Sequence, residues 1–425
     1  MDTALQSSRR THLFRQVMPG DRFFCTAVVM LLILSEVFSS NIQTTLPTFS
    51  YVCRLALTVG TTALLIGKLL FFTDWDSRRQ PVIAALAVLY AAAAAWYGND
   101  QWFFLAVLIG TAAKGVDLRR ALRVYLAAAV AGLVVVQLLH YTTDLIPFSY
   151  YCRNWDYGYG HYNGYGARLA GVFFAWGWLR WPRLRLWDWA GLTSLAVYTL
   201  LVPGSRGAGM TMVMLLVLFA AQKLLPAFFE SRVWHGIVLS LMPLATAGSL
   251  VAGYLFDPGN PGATPLLEKL NRLLSGRFEV WHHVFWRFPI WHVEEDGTTW
   301  YHGEMPATFS LFGGVATDGD EHHAIDNAFL ALPMNKGLVG AVLIGAVFLF
   351  LLWKLCRRGC TGETLFLAAI LLYFLMENKP FLFSADPFVF LLPAALLTPR
   401  GAPLPVVCPR PQSDEEVSYG KVSSE

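Results

Sequence analysis

Apolar runs separated by short polar connections recur along almost the whole chain, and their lengths set the first expectation. A helix needs roughly 20 mostly apolar residues to cross the hydrocarbon of a bilayer. Runs near that size cover 22–40, 51–72, 81–97, 101–117, 122–140, 166–181, 187–203, 207–229, 233–255, 325–353, 362–377 and 384–398. The pattern predicts an all-α integral membrane protein with about 12 transmembrane helices and one large loop between helices 9 and 10. The chain then divides into an N-terminal segment 1–21, nine helices within 22–255, the loop 256–324, three helices within 325–398 and a tail 399–425. Inside the loop, Leu266, Leu267, Leu270, Leu273 and Leu274 repeat at helical spacing, which predicts an amphipathic helix lying along the membrane surface.

Charge adds direction to this frame. Arg78 and Arg79, then Lys114, Arg119 and Arg120, then Arg180, Arg183 and Arg185, then Lys223 and Arg232, then Lys354, Arg357 and Arg358 fall on alternate connections. They share a side with Arg9, Arg10 and Arg15 near the start. The positive-inside rule therefore places both termini in the cytoplasm and the loop 256–324 on the external face. The tail is Pro-rich and then acidic, with too little apolar content to fold, and is expected to be disordered.

Composition agrees. The chain is 55% hydrophobic and 14% charged, whereas a soluble domain carries about 25% charged residues. A net charge of +3 without an arginine-rich groove excludes nucleic acid as a partner. Six cysteines (Cys25, Cys53, Cys152, Cys356, Cys360 and Cys408) show neither a disulfide framework nor a four-ligand metal spacing. The first apolar run lacks a small-residue cleavage site and is expected to stay as a helix.

Against a bias that keeps arginine inside, Arg153, Arg168, Arg206, Arg272, Arg277 and Arg287 fall on the external side. Arg206 lies between Gly204 and Gly207 where one apolar run meets the next. Glycines permit close backbone approach, and the start of the next helix offers unpaired N–H groups, so the turn suits capture of a phosphate. Arg277, after Ser275 and Gly276, and Arg272 are candidates to face the same anion. His322, His323, Asp326 and Asn327 occupy the entrance of the tenth run, where a His or Asp serves as a base toward a hydroxyl or simply caps the helix. Glu377 closes the eleventh run beside Lys379, a local neutralising partner. The segment 153–169, with His161 and Asn163 among tyrosines and glycines, reads as a carbohydrate-facing surface or an interfacial aromatic belt.

In order, GYGHYNGYGA (158–167), GSRGA (204–208), NRLLSGRFEVW (271–281), HHAIDNAFLALPMNKGLVG (322–340) and the Met376–Glu377 pair resemble the Wzy-type polysaccharide polymerase and O-antigen ligase superfamily. The resemblance covers about Arg153 to Leu397; the first five runs match only in hydropathy. It implies metal-independent, cofactor-free, inverting transfer of a glycan from an undecaprenyl-pyrophosphate carrier at the external face of a bacterial cytoplasmic membrane. Arg206, Arg277 and Arg153 would hold the pyrophosphate, His323 or Asp326 would be the base, and His161, Asn163, Asn327 and Glu377 would contact glycan. Membrane lipid, a chain-length regulator and a flippase are the implied partners. The Ile-Asp-Asn form in place of a plain His-Asn pair, the small size and the Gly-His-Tyr-Asn loop look more like polymerases of lipid-linked repeat units than ligases. The alternatives are an O-antigen ligase and, from another class, a flippase for lipid-linked sugars. The latter predicts charges near the bilayer midplane and paired broken helices.

Overall fold

A computed structural model describes residues 20–98, 100–151, 154–274, 276–285, 291–293, 299–301, 311, 326–379, 381–399 and 404. His323, Arg153, Arg287 and the tail fall outside the described residues. Helices occupy the predicted apolar runs one for one. They are α1 (Gly20–Glu36), α2 (Pro47–Phe71), α3 (Arg79–Gly98), α4 (Gln101–Ala112), α5 (Leu118–Thr142), α6 (Tyr162–Arg180), α7 (Leu186–Leu201), α8 (Arg206–Leu224) and α9 (Arg232–Leu255). Two short helices follow in the large loop, α10 (Pro265–Leu273) and α11 (Arg277–Phe285). Then come α12 (Ala328–Arg357), α13 (Thr361–Met376) and a 3-10 turn, Pro387–Leu391, that runs into α14 (Leu392–Leu396). Antiparallel two-stranded hairpins pair Tyr150–Tyr151 with Asn154–Trp155 and Trp291–Val293 with Thr299–Tyr301.

The helix starts follow capping chemistry. Asp100, Asp117, Ser231 and Asn327 accept backbone N–H groups at the first turns of α4, α5, α9 and α12. Pro47 sits at the start of α2, where no N–H is needed. Gly115 and Gly359, both with positive φ, turn the chain after α4 and α12.

Six helices (α2, α3 up to Trp96, α5, α8, α9 and α12) are long and apolar enough to cross a membrane by length and composition. Their outward faces carry Val52, Leu55, Val59, Leu86, Leu89, Leu138, Val217 and Val342, all exposed. Only 17–44% of each apolar window is buried within the protein. Apolar side chains on that scale have no aqueous rationale, and the fold is that of an all-α, membrane-embedded protein. Helix α13 is covered on nearly every side by α6, α8, α9 and α12 and forms the centre of the bundle. An all-round apolar helix must lie in such a place.

Two of the predicted runs form helices far shorter than a full span. Helix α4 has 12 residues, about 18 Å at 1.5 Å per residue, against roughly 30 Å of hydrocarbon. The final run is five residues of 3-10 turn followed by a five-residue helix. These two short pieces pack on each other and on α3 inside the bundle. Helix α12 is interrupted at Gly337 (φ 72°, ψ 170°), just after Lys336. The break frees backbone N–H groups, and Val339 donates one of them to the Leu311 carbonyl of the large loop (3.1 Å).

The bundle has two unlike ends. At one, Lys114 pairs with Asp76 (2.8 Å) and Arg180 with Asp188 (3.0 Å). Gln80 donates to the Leu397 carbonyl there (2.6 Å), and Lys354 donates to the carbonyls of Ala394, Ala395 and Thr398. At the other end Asn41 donates to Asp156 (2.7 Å), and Arg168 bridges α6 to α1 through Glu36 (3.1 Å) and the Ser35 carbonyl (2.8 Å). Arg168, expected among the external arginines, is 5% exposed, lies over the Tyr159 ring and serves as a helix clamp. Removing one partner of a buried pair leaves a bare charge. Arg168→Ala is therefore expected to destabilise the protein by about 3–5 kcal/mol, read as thermal unfolding in detergent micelles. The Glu36→Leu/Arg168→Leu double variant should recover most of that loss.

Candidate functional site

The second end gathers most of the chemistry-bearing residues, and the amphipathic loop helices decide where one of them stands. Helix α10 leaves Leu266 and Leu273 outward and turns Asn271 inward. The Asn271 side-chain oxygen accepts the N–H groups of Phe278 (2.8 Å) and Glu279 (3.4 Å), so it caps α11 across the Gly276 turn (φ 80°). Phe278 and Trp281 then bury against Phe256, Leu330 and Met334, which fastens α11 over the end of α9 and the start of α12. Arg277, between cap and anchor, has little freedom left.

Its guanidinium is closed on by two carboxylates. Nη2 donates to Glu377 Oε1 (3.2 Å), and Nη1 lies against the Asp326 carboxylate. Glu377 is 1% exposed, whereas the Asp326 side chain is about one-third open. Glu377 thus takes Arg277 as its ion-pair partner, where the sequence pointed to the neighbouring Lys379. Arg272 instead makes an exposed pair with Glu268 one turn away (2.9 Å) and does not join the cluster.

Helix α8 begins beside this cluster. A Cβ built on Gly207 would stand 3.0 Å from Glu377 Oε1, so Arg206 and Gly207 open their helix against the carboxylate. The turn before them is locked from behind. Ser205 Oγ donates to Asn163 Oδ1 (3.1 Å), a Cβ on Gly166 would overlap that same Ser205 Oγ, and Gly204 has φ +69° with Asn154 against it. The close approach expected of Gly204 and Gly207 is present at both positions, and Arg206 itself is exposed at the mouth.

His161 caps α6, its Nδ1 accepting the Asn163 N–H (3.0 Å), and its ring stacks on Tyr162. Burial depresses its pKa, partly offset by Asp326, so the imidazole is neutral at pH 7 and faces the same cluster.

Two expected glycan contacts carry structural hydrogen bonds in this fold. Asn327 is fully buried: its oxygen accepts the Phe329 N–H (2.8 Å) and its amide donates to Ser249 Oγ (2.8 Å). It caps α12 and ties it to α9, which holds Asp326 in place, and its full burial takes it out of reach of a substrate. Asn163, 9% exposed, likewise supports the Ser205 turn. The sequence hides this, because capping and ligand contact use the same residue types. Asn271 and Ser249 were not singled out by the sequence for the same reason.

Arg206, Arg277, Asp326, Glu377 and His161 thus meet at one end, with Asn163 and Asn327 behind them, while Arg153 and His323 lie outside the described residues. Among the described residues no cluster of His, Cys, Asp and Glu is arranged to hold a metal ion. The arrangement offers cations for an anion, a half-open carboxylate for a proton, and a deep carboxylate that positions one of the cations. No family model, curated protein or solved structure matches the chain.

If Asn271 sets the station of Arg277, Asn271→Ala should cost about 1 kcal/mol at the α11 cap. Hydrogen exchange is expected to show it as faster exchange at Phe278 and Glu279, with α13 amides unchanged.

Proposed function

We propose that the chain is a membrane glycosyltransferase that polymerises undecaprenyl-pyrophosphate-linked oligosaccharide repeat units into a surface polysaccharide. The observation that carries this reading is the pairing of Arg277 with Asp326 beside the α8 start that bears Arg206. A donor of this class needs cations at a pyrophosphate and a base at a hydroxyl within one molecular length of each other. The proposal includes the twelve-run frame with both termini cytoplasmic, the clustered end facing outward in a bacterial cytoplasmic membrane. The concentration of lysine and arginine at the opposite end supports that orientation.

The acceptor hydroxyl oxygen attacks the anomeric carbon of the donor from the face opposite the carrier. A new C–O bond forms as the bond from that carbon to the pyrophosphate oxygen breaks, and the electron pair leaves with the carrier pyrophosphate. The hydroxyl proton passes to Asp326, whose partly open side chain reaches the mouth. Arg206 and Arg277 stabilise the charge that grows on the leaving group. In the resting state Arg277 is held by both carboxylates. When the pyrophosphate arrives, Glu377 keeps its grip on Nη2 while Nη1 is exchanged from Asp326 to phosphate oxygen, which frees Asp326 as the base. The amphipathic α10 places the loop at the membrane surface, where a lipid carrier presents its headgroup.

The test uses the full chain in lipid vesicles with a radiolabelled lipid-pyrophosphate-linked repeat unit as both donor and acceptor. Products longer by whole repeat units, with release of carrier pyrophosphate, are expected. Asp326→Asn should lower the rate about 10²–10⁴-fold, the usual contribution of a general base, and Arg277→Ala should also abolish elongation. Transfer that requires an added lipid A core acceptor would identify a ligase. Movement of the repeat unit across the bilayer without elongation would refute the enzyme reading.

A further inference from the structure

Back to back with the Arg277 cluster, on the other side of the segment 377–382, lies a second polar site. A pocket of ≈ 240 Å³ opens between the start of α4, the first turns of α12 and residues 378–382. Its depth follows from the short α4. At the basic end, Lys68 of α2 donates to the Lys114 carbonyl just after α4, so the two helices finish level. Helix α2 then continues 21 residues up to Pro47 and α4 only 12 residues up to Gln101, leaving the α4 start roughly 13 Å lower at 1.5 Å per residue. Lys336 is eight residues along α12, about 12 Å below the first turn by the same measure. Both sides of the pocket lie in a recess beneath the mouth.

Two ammonium groups and one carboxylate line this recess. Asp100 is fully engaged: one oxygen accepts the N–H groups of Trp102 and Phe103, and the other accepts from Lys336 Nζ (2.7 Å). Lys336, 3% exposed and 4.8 Å over the Phe103 ring, is thereby neutralised. Lys379 makes no ion pair among the described residues, although its charge acts on Glu377 and His161 from a distance. The side chains of Asn335 and Asn378 on the same lining make no hydrogen bond among the described residues. Trp102 and Phe381, both half-buried, supply the apolar wall. One ammonium without an ion pair, two open amides and an indole form a small concave site below the size of drug-scale pockets, about 300–1,000 Å³.

We propose that this recess is a subsite for a carboxylate-bearing sugar of the glycan, a uronic acid or a residue of like charge. Lys379 meets the carboxylate, Asn335 and Asn378 meet ring hydroxyls, and the sugar face rests on Trp102. The reading rests on the glycosyl-transfer function proposed above and names its substrate class as an acidic glycan. Because Glu377 faces the transfer cluster and Asn378 and Lys379 face the recess, one strand of chain links the two sites. A sugar one unit from the reacting bond would be held while the next is joined.

The experiment is saturation-transfer NMR on the full chain in zwitterionic nanodiscs, with methyl glucuronide, methyl glucoside and inorganic phosphate as probes. Saturable ring-proton signals from the glucuronide are expected, with the glucoside about tenfold weaker, the order of a lost charge-assisted bond. Lys379→Met should weaken the glucuronide about tenfold to the level of the glucoside. Trp102→Ala should weaken both sugars, and Arg206→Ala, in the transfer cluster but away from Lys379, should change neither. Thermal unfolding of each variant confirms that the fold persists. Equal binding of the two sugars, or glucuronide binding that survives both Lys379→Met and Trp102→Ala, would overturn the subsite. So would displacement by phosphate at equal concentration, which marks a site for phosphate or a lipid headgroup, or loss of binding in Arg206→Ala, which puts the sugar in the transfer cluster. Because binding is read without turnover, failure of elongation with uronide binding intact removes the transferase reading alone.

Discussion

A charged group in the low-dielectric end of a helix bundle must find its partners inside the protein, and Arg277 is where that requirement bears most heavily. Its guanidinium is nearly buried, and it draws a carboxylate from the end of α13 and another from the start of α12. Water could not supply those partners at this depth without a cost of several kcal/mol per group. Three elements far apart in sequence are therefore held at one point: the loop helix α11, the α12 entrance and the α13 exit. The start of α8 packs against the same Glu377 through Gly207, which makes four.

The polar chemistry around that point is arranged in two layers. Asn163, Ser205, Asn271, Asn327 and Ser249 make closed hydrogen bonds that cap helices or join them. In front of them Arg206, Asp326 and His161 retain access to the mouth. The rear layer ties the helix ends to one another, and the front-layer residues stand on those ends. A site assembled on helix ends has a further benefit: the unpaired N–H groups of each first turn favour negative charge.

Short helices set the depth. A uniform bundle of full spans would carry its polar ends at the membrane surface. Helix α4 and the final 3-10 turn with α14 stop short, so their polar ends are lowered into the bundle and the walls above are the ends of longer neighbours. Asp100 at that depth pairs with Lys336, which stands one residue before the α12 break at Gly337. The recess and the cluster thus arise from the same demand for internal pairing, met by different residues on the two sides of the 377–382 segment.

The hydrophobic spacing by itself determined that the chain is an all-α, membrane-embedded protein and roughly where most of its helical segments lie, because a single apolar run in hydrocarbon satisfies its backbone only as helix. It also determined the amphipathic character of 265–273 and the concentration of lysine and arginine at alternate connections. The close approach of Gly204 and Gly207 was legible as well, since glycine flanking an arginine at a run boundary has few other uses. Sequence could not decide that α4 and the last run fall short of a full span, since a run records apolar length but not where the helix is broken. Nor could it decide partners. Arg168 and Arg277 look alike in the sequence, yet one is a clamp to Glu36 and the other the hub of the cluster. Asn327 and Asn163 carry the groups that would contact a sugar, and only packing shows those groups already bonded. Ion pairs such as Arg277–Glu377, 100 residues apart, are made by the tertiary fold, because their energy depends on burial and distance that no local pattern encodes.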